Sequence, residues 1–157
     1  MDVNELAGIL LEREQAVSVA EADTCGLIGY MLGTVPGASK FFPGGVIAYT
    51  GGLKQKILGV SDELYDTYGS VSEEMAIAMA KGVRELTDTD YAVSVTGVTG
   101  PSQGRSKYPI GTFYVGLAIK GGVDRAIEIH VEGDRDATKR ASAQAALDLL
   151  GEHLSAG

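Results

Sequence analysis

The chain has 157 residues, 45% hydrophobic and 22% charged, which is the composition of a folded domain with one core and not of a disordered segment. A formal net charge of −8 repels phosphate backbones and excludes nucleic-acid binding, but leaves room for a small anion held by local amides and cations. A single cysteine, Cys25, excludes an internal disulfide and a Cys-rich metal site. No apolar run approaches the ~18 residues a bilayer span needs, and the N-terminal segment is not a basic, apolar signal, so no membrane contact and a cytoplasmic location are expected.

Leu6, Ile9 and Leu10 recur at helical spacing and predict an amphipathic helix over 1–14. The β-prone run 16–20 predicts a first strand. Asp23 and Thr24 then offer N-cap chemistry for a helix over 25–32. A second strand is expected over 45–50, and Gly51-Gly52 turns the chain into a short helix over 53–58. One further helical turn is expected over 62–68. Ser72 opens a strong helix with Glu73 and Glu74 in its first turn, where the helix dipole favours acids. Residues 91–95 read as a buried strand, and 112–119 with 126–131 as a hairpin joined at Gly121-Gly122. A final helix is expected over 136–153. Strands alternating with helices predict one domain over 1–157, a three-layer α/β/α fold whose late hairpin makes the sheet of about five strands mixed but mostly parallel.

Three loops follow predicted strand ends, at 21–26, 49–54 and 96–101. Ligands of open α/β sheets bind at the carboxyl ends of strands, so these loops are expected to meet at one crevice. The run Thr96-Gly97-Val98-Thr99-Gly100-Pro101 lacks the lysine and hydroxyl ending of a phosphate-binding P-loop, yet its amides suit an anion nest. The polar stretch 102–107 is placed to close over a ligand. Lys54, five residues after Tyr49, is a candidate base if a pocket wall lowers its pKa. His130 alternates with Glu128 and Glu132 and reads as a solvated edge residue. Neither histidine has a metal-like partner, so no metal is expected.

These motifs, in this order, resemble the CinA C-terminal domain family, and the likeness covers nearly the whole chain. Ala20-Glu21-Ala22-Asp23-Thr24-Cys25-Gly26 stands where that family reads Ala-Glu-Ser-Cys-Thr-Gly-Gly. Tyr49-Thr50-Gly51 with Lys54 resembles its Tyr-Ser-Asn and following lysine, and 96–101 its Ser-Gly-Ile-Ala-Gly-Pro loop. Gly69-Ser70-Val71-Ser72 resembles its entry to the long helix, Pro109-Ile110-Gly111-Thr112 its Pro-Val-Gly-Thr, and Gly133-Asp134-Arg135 its Gly-Asp-Arg.

The resemblance implies an amidohydrolase that converts the carboxamide of nicotinamide mononucleotide to the acid and ammonia without a cofactor. It implies proton-handling roles for Tyr49 and Lys54. It implies ligand contacts from Glu21, Thr24, Gly26, Thr96, Gly97, Thr99, Gly100, Gly111, Thr112, Arg135 and Lys139. The expected partner is a small polar molecule such as a pyridine nucleotide, and the expected assembly a homo-oligomer. The departures are as informative. Ala22 occupies the position of the catalytic serine, and a methyl group cannot attack a carbonyl. Gly51 replaces the asparagine, Cys25 a glycine, and Lys139 an arginine, so a point charge stands where a planar fork is expected. The sequence therefore predicts a divergent member with lost or altered catalysis that still binds a ligand. Two alternatives remain: an amidohydrolase using Asp23, Thr24 or Cys25, and a non-catalytic assembly module.

Overall fold

A computed structural model describes residues 1–157. The elements in chain order are α1 (Val3–Glu12), β1 (Val17–Glu21), α2 (Leu27–Gly33), β2 (Gly44–Ile47), α3 (Gly51–Leu58), α4 (Asp62–Tyr68), α5 (Glu73–Thr87), β3 (Tyr91–Gly97), β4 (Thr112–Ile119), β5 (Arg125–His130) and α6 (Arg135–Ala156), with a 3-10 turn at Ala38–Lys40. The five strands form one sheet in the order β2-β1-β3-β4-β5. β2, β1 and β3 are parallel, while β4 is antiparallel to both β3 and β5. Four strands thus point one way and β4 alone opposes them, as the hairpin predicted.

Alternation along the strands gives the sheet two unlike faces. Val17 and Val19 of β1, Val93 and Val95 of β3, and Phe113, Val115 and Leu117 of β4 join Leu6, Leu10, Ile28, Leu32 and Leu147 in the larger core, under α1, α2 and α6. The other face carries small side chains: Ala20, Ala92 and Ala118 pack with Met75, Met79 and Val83 of α5. Small residues let α5 settle close. Ser94 Oγ donates to the Ala76 carbonyl at 2.6 Å, and a Cβ on Gly116 would lie 2.4 Å from that same oxygen. No helix is long and apolar enough to cross a membrane.

The second strand, expected over 45–50, ends at Ile47, and two further boundary differences have a physical reason. The helix expected from residue 25 begins at Leu27, because Cys25 (φ +53°) and Gly26 (φ +97°) both lie in the left-handed region. Gly51 and Gly52, expected as a turn, form the first turn of α3. A side chain on Gly51 would strike the Tyr65 ring at 2.3 Å, so α4 packs directly over that backbone.

Candidate functional site

The loop after β1 is organised by Glu21, not by the residues expected to cap α2. Glu21 points to the α2 face and is 1% exposed. Its Oε1 accepts from the backbone N–H groups of Gly26 (3.2 Å) and Ile28 (2.9 Å), and Oε2 from that of Gly29 (2.9 Å). The carboxylate therefore satisfies the amides that open α2, a structural duty beside the ligand contact expected of it. Neither Asp23 nor Thr24 caps the helix. Both are buried, and Asp23 Oδ1, Asp23 Oδ2 and Thr24 Oγ1 find no hydrogen-bond partner.

Burial pushes the Asp23 carboxyl up from 3.8 to about 6, against the opposing pull of its own backbone N–H dipole and of Lys54, Lys139 and Arg135. A folded value above the unfolded one means that the native state holds this proton longer, so stability falls as pH rises from about 4 to about 6. That span is worth at most about 3 kcal/mol. Asp23→Asn is accordingly expected to raise the melting temperature by a few degrees at pH 7 and to leave it unchanged at pH 4. The gain stays below the full amount because Lys54 loses a favourable partner. Equal increments at both pH values in thermal melts would overturn this account.

On the opposite face of the sheet, Lys54 of α3 is 1% exposed. Its Nζ donates to Ser70 O (2.9 Å), Ser70 Oγ (2.8 Å) and Thr96 Oγ1 (3.0 Å), while Thr96 Oγ1 donates to Ser70 O at 2.7 Å. Burial lowers the Lys54 ammonium from 10.5 to about 8, and Asp23 partly restores it. The lowered pKa matches the condition set for a base at Lys54, but its hydrogen-bond partners are Ser70 and Thr96 and not the Tyr49 hydroxyl. Ala22 lies on this same face, within the α5-side apolar cluster, so no hydroxyl reaches Lys54 from position 22.

Tyr49, 46% exposed, instead meets Arg135. Arg135 opens α6, and its guanidinium contacts Tyr49 Oη, the Gly100 carbonyl and Thr99 Oγ1 (2.6 Å to the last). Lys139, one turn further along α6, holds its Nζ 5.7 Å from the Tyr49 ring centroid. Beside this cluster a cleft of about 510 Å³ opens between the loop after β3, the segment before α5 and the 102–107 stretch. Ser70, Gly97, Thr99, Gly100, Arg105, Lys107 and Arg135 line it, and no Asp or Glu does.

The remaining expected contacts divide. Gly97, Thr99, Gly100 and Arg135 are on the cleft wall, and Thr96 stands behind it on Lys54. Gly26, Gly111 and Thr112 serve the backbone. Gly111 (φ +91°) would set a Cβ 2.2 Å from the Val131 carbonyl, and Thr112 is fully buried on β4. Cys25 is exposed and off the wall, and the buried Asp23 and Thr24 are off it as well. Ser70 was not singled out as functional from the sequence. The available signal was two serines in one short stretch: Ser72 caps α5 by accepting from Met75 N at 3.1 Å, and Ser70 is free of that duty.

Comparison with known proteins agrees with this architecture. Residues 3–154 match the family model of the CinA C-terminal domain. The chain belongs to the CinA C-terminal domain family. A CinA-like protein of Solibacter usitatus is 41% identical over 147 residues, covering 92% of this chain and 35% of the relative. One from Thermosynechococcus vestitus is 40% identical over 159 residues, covering 98% and 38%. Among solved structures, a competence-damaged protein (CinA) superfamily protein from Klebsiella pneumoniae superimposes with a TM-score of 0.94 at 25% identity, covering 99% of this chain and 96% of that one. The competence/damage inducible protein CihA of Agrobacterium tumefaciens gives 0.88 at 31% identity, covering 99% and 96%. This CinA domain spans about a third of the length of the curated relatives it matches.

Proposed function

We propose that this CinA domain binds a small anionic, nucleotide-like molecule in the cleft beside Arg135, with nicotinamide mononucleotide the first candidate, and that position 22 supplies no nucleophile. Charge carries the reading. In a chain of net charge −8, the cleft wall holds Arg105, Lys107 and Arg135 and no carboxylate. Such a local field concentrates anions against the overall charge of the surface. A volume of about 510 Å³ falls within the range of small-molecule sites. Arg135 offers a planar fork and the 102–107 stretch two mobile-length cations, a combination suited to a phosphate. Ala22 supports the second half of the reading, since its side chain has no atom able to attack.

Titration calorimetry with nicotinamide mononucleotide tests the binding claim. Binding in the micromolar range is expected, weakening as salt rises, with the dephosphorylated nucleoside giving no measurable heat. Absence of binding by both nicotinamide mononucleotide and its acid form would sink the proposal.

A further inference from the structure

We propose that Ser70 and Lys54 form a serine–lysine acyl-transfer pair, with Ser70 Oγ the nucleophile and Lys54 Nζ its base, acting on a carboxamide or ester whose remote end is anionic. The anionic end rests on the binding reading above; the pair does not. Ser70 Oγ lies 2.8 Å from Lys54 Nζ, and Ser70 is on the cleft wall while Lys54 is sealed behind it. A serine beside a buried lysine is a known arrangement for activating a hydroxyl.

The hydrogen bonds around Lys54 dictate which hydroxyl is activated. Thr96 Oγ1 spends its proton on the Ser70 carbonyl, so towards Lys54 it acts only as an acceptor. The Ser70 carbonyl is an acceptor as well. A neutral Lys54 amine has two protons and one lone pair. The two protons go to Thr96 Oγ1 and Ser70 O, and the lone pair is left facing Ser70 Oγ–H. With the ammonium lowered to about 8, about one molecule in ten holds the amine at pH 7. Thr99 and Gly100 line the same cleft, and their backbone N–H groups donate to no acceptor of the chain, as an oxyanion site requires.

The chemistry balances without a cofactor. Lys54 Nζ takes the Ser70 proton as Oγ bonds to the carbonyl carbon and the C=O π pair moves to oxygen. Collapse breaks the bond to the leaving nitrogen or oxygen, which receives the proton back from Lys54. Water then repeats the sequence on the acyl-serine, giving up one proton through Lys54 to Ser70 Oγ and releasing the carboxylic acid.

A fluorophosphonate, whose phosphorus accepts a serine oxygen with loss of fluoride, tests the pair independently of any nucleotide. One adduct on the peptide bearing Ser70 is expected by mass spectrometry, with a rate that rises as pH passes through about 8. Asp23 is the charged group that raises the Lys54 value, so Asp23→Asn moves this profile to lower pH. Ser70→Ala is expected to slow labelling at least 100-fold. Lys54→Met is expected to slow it at least tenfold, compared only where its thermal melt remains cooperative. No adduct on the natural chain, an adduct on another residue, or labelling that survives Ser70→Ala would each overturn the pair. Failure of labelling leaves nucleotide binding by calorimetry standing, and failure of binding leaves the labelling result standing.

Discussion

Glu21→Ala is expected to cost about 4 kcal/mol and to lower the melting temperature by about 10 °C. The reason is the number of donors left behind. Three backbone N–H groups at Gly26, Ile28 and Gly29 converge on one buried carboxylate. Bonds to a charged acceptor contribute about 1.5–3 kcal/mol each, and an alanine leaves all three donors unpaired. α2 has only seven residues, too few to hold its own first turn without this partner. Glu21→Gln keeps one oxygen, placed best at Oε1, but sets an NH2 against the Gly29 N–H. About half the loss is expected. Differential scanning calorimetry distinguishes these cases, and a Glu21→Ala melt within about 2 °C of the natural chain would refute the capping role.

Arg135→Ala is expected to weaken binding of nicotinamide mononucleotide by about 100-fold, or about 3 kcal/mol, with a much smaller change in thermal stability. Arg135 joins elements that share no backbone hydrogen bond at this point: the segment after β2, the loop after β3 and the start of α6. Removing it deletes a cation from the cleft and also frees Tyr49 and Thr99 to move. Arg135→Lys retains the charge but cannot contact Tyr49, Thr99 and Gly100 together, because an ammonium is a point donor and not a fork. About a tenfold loss is expected for it. Calorimetry at two salt concentrations separates the two contributions: the charge component shrinks with salt and the positioning component does not. Unchanged affinity in Arg135→Ala would remove the cleft as the binding site.

The elements were legible because they follow local rules. Apolar alternation marks the strands, a 3.6-residue period marks α5, and serine and acids mark its start, so the mixed α/β/α sheet followed from the chain alone. The late start of α2 has a tertiary cause: the backbone of Cys25 and Gly26 takes left-handed geometry as α2's amides meet Glu21, and no local pattern reveals a cap placed five to eight residues upstream. The same limit explains why Asp23 and Thr24 looked like caps. Their composition suited the role, while the geometry had already assigned it to Glu21.

By itself the sequence determined that position 22 carries no attacking atom, that Lys54 follows five positions after Tyr49, and that the chain as a whole is acidic. Those are statements about composition and order, and folding does not alter them. Tertiary structure alone decided which groups meet. Lys54 finds Ser70 and Thr96 across 16 and 42 positions, and Arg135 reaches Tyr49 across 86. It also decided that Arg105, Lys107 and Arg135 share one cleft without a carboxylate, so an acidic chain presents a cationic site. The physical reason is that strand alternation selects a face, but only the packing of α3, α5 and α6 on the sheet sets distances. A proton passes over 2.8 Å and not over a sequence interval.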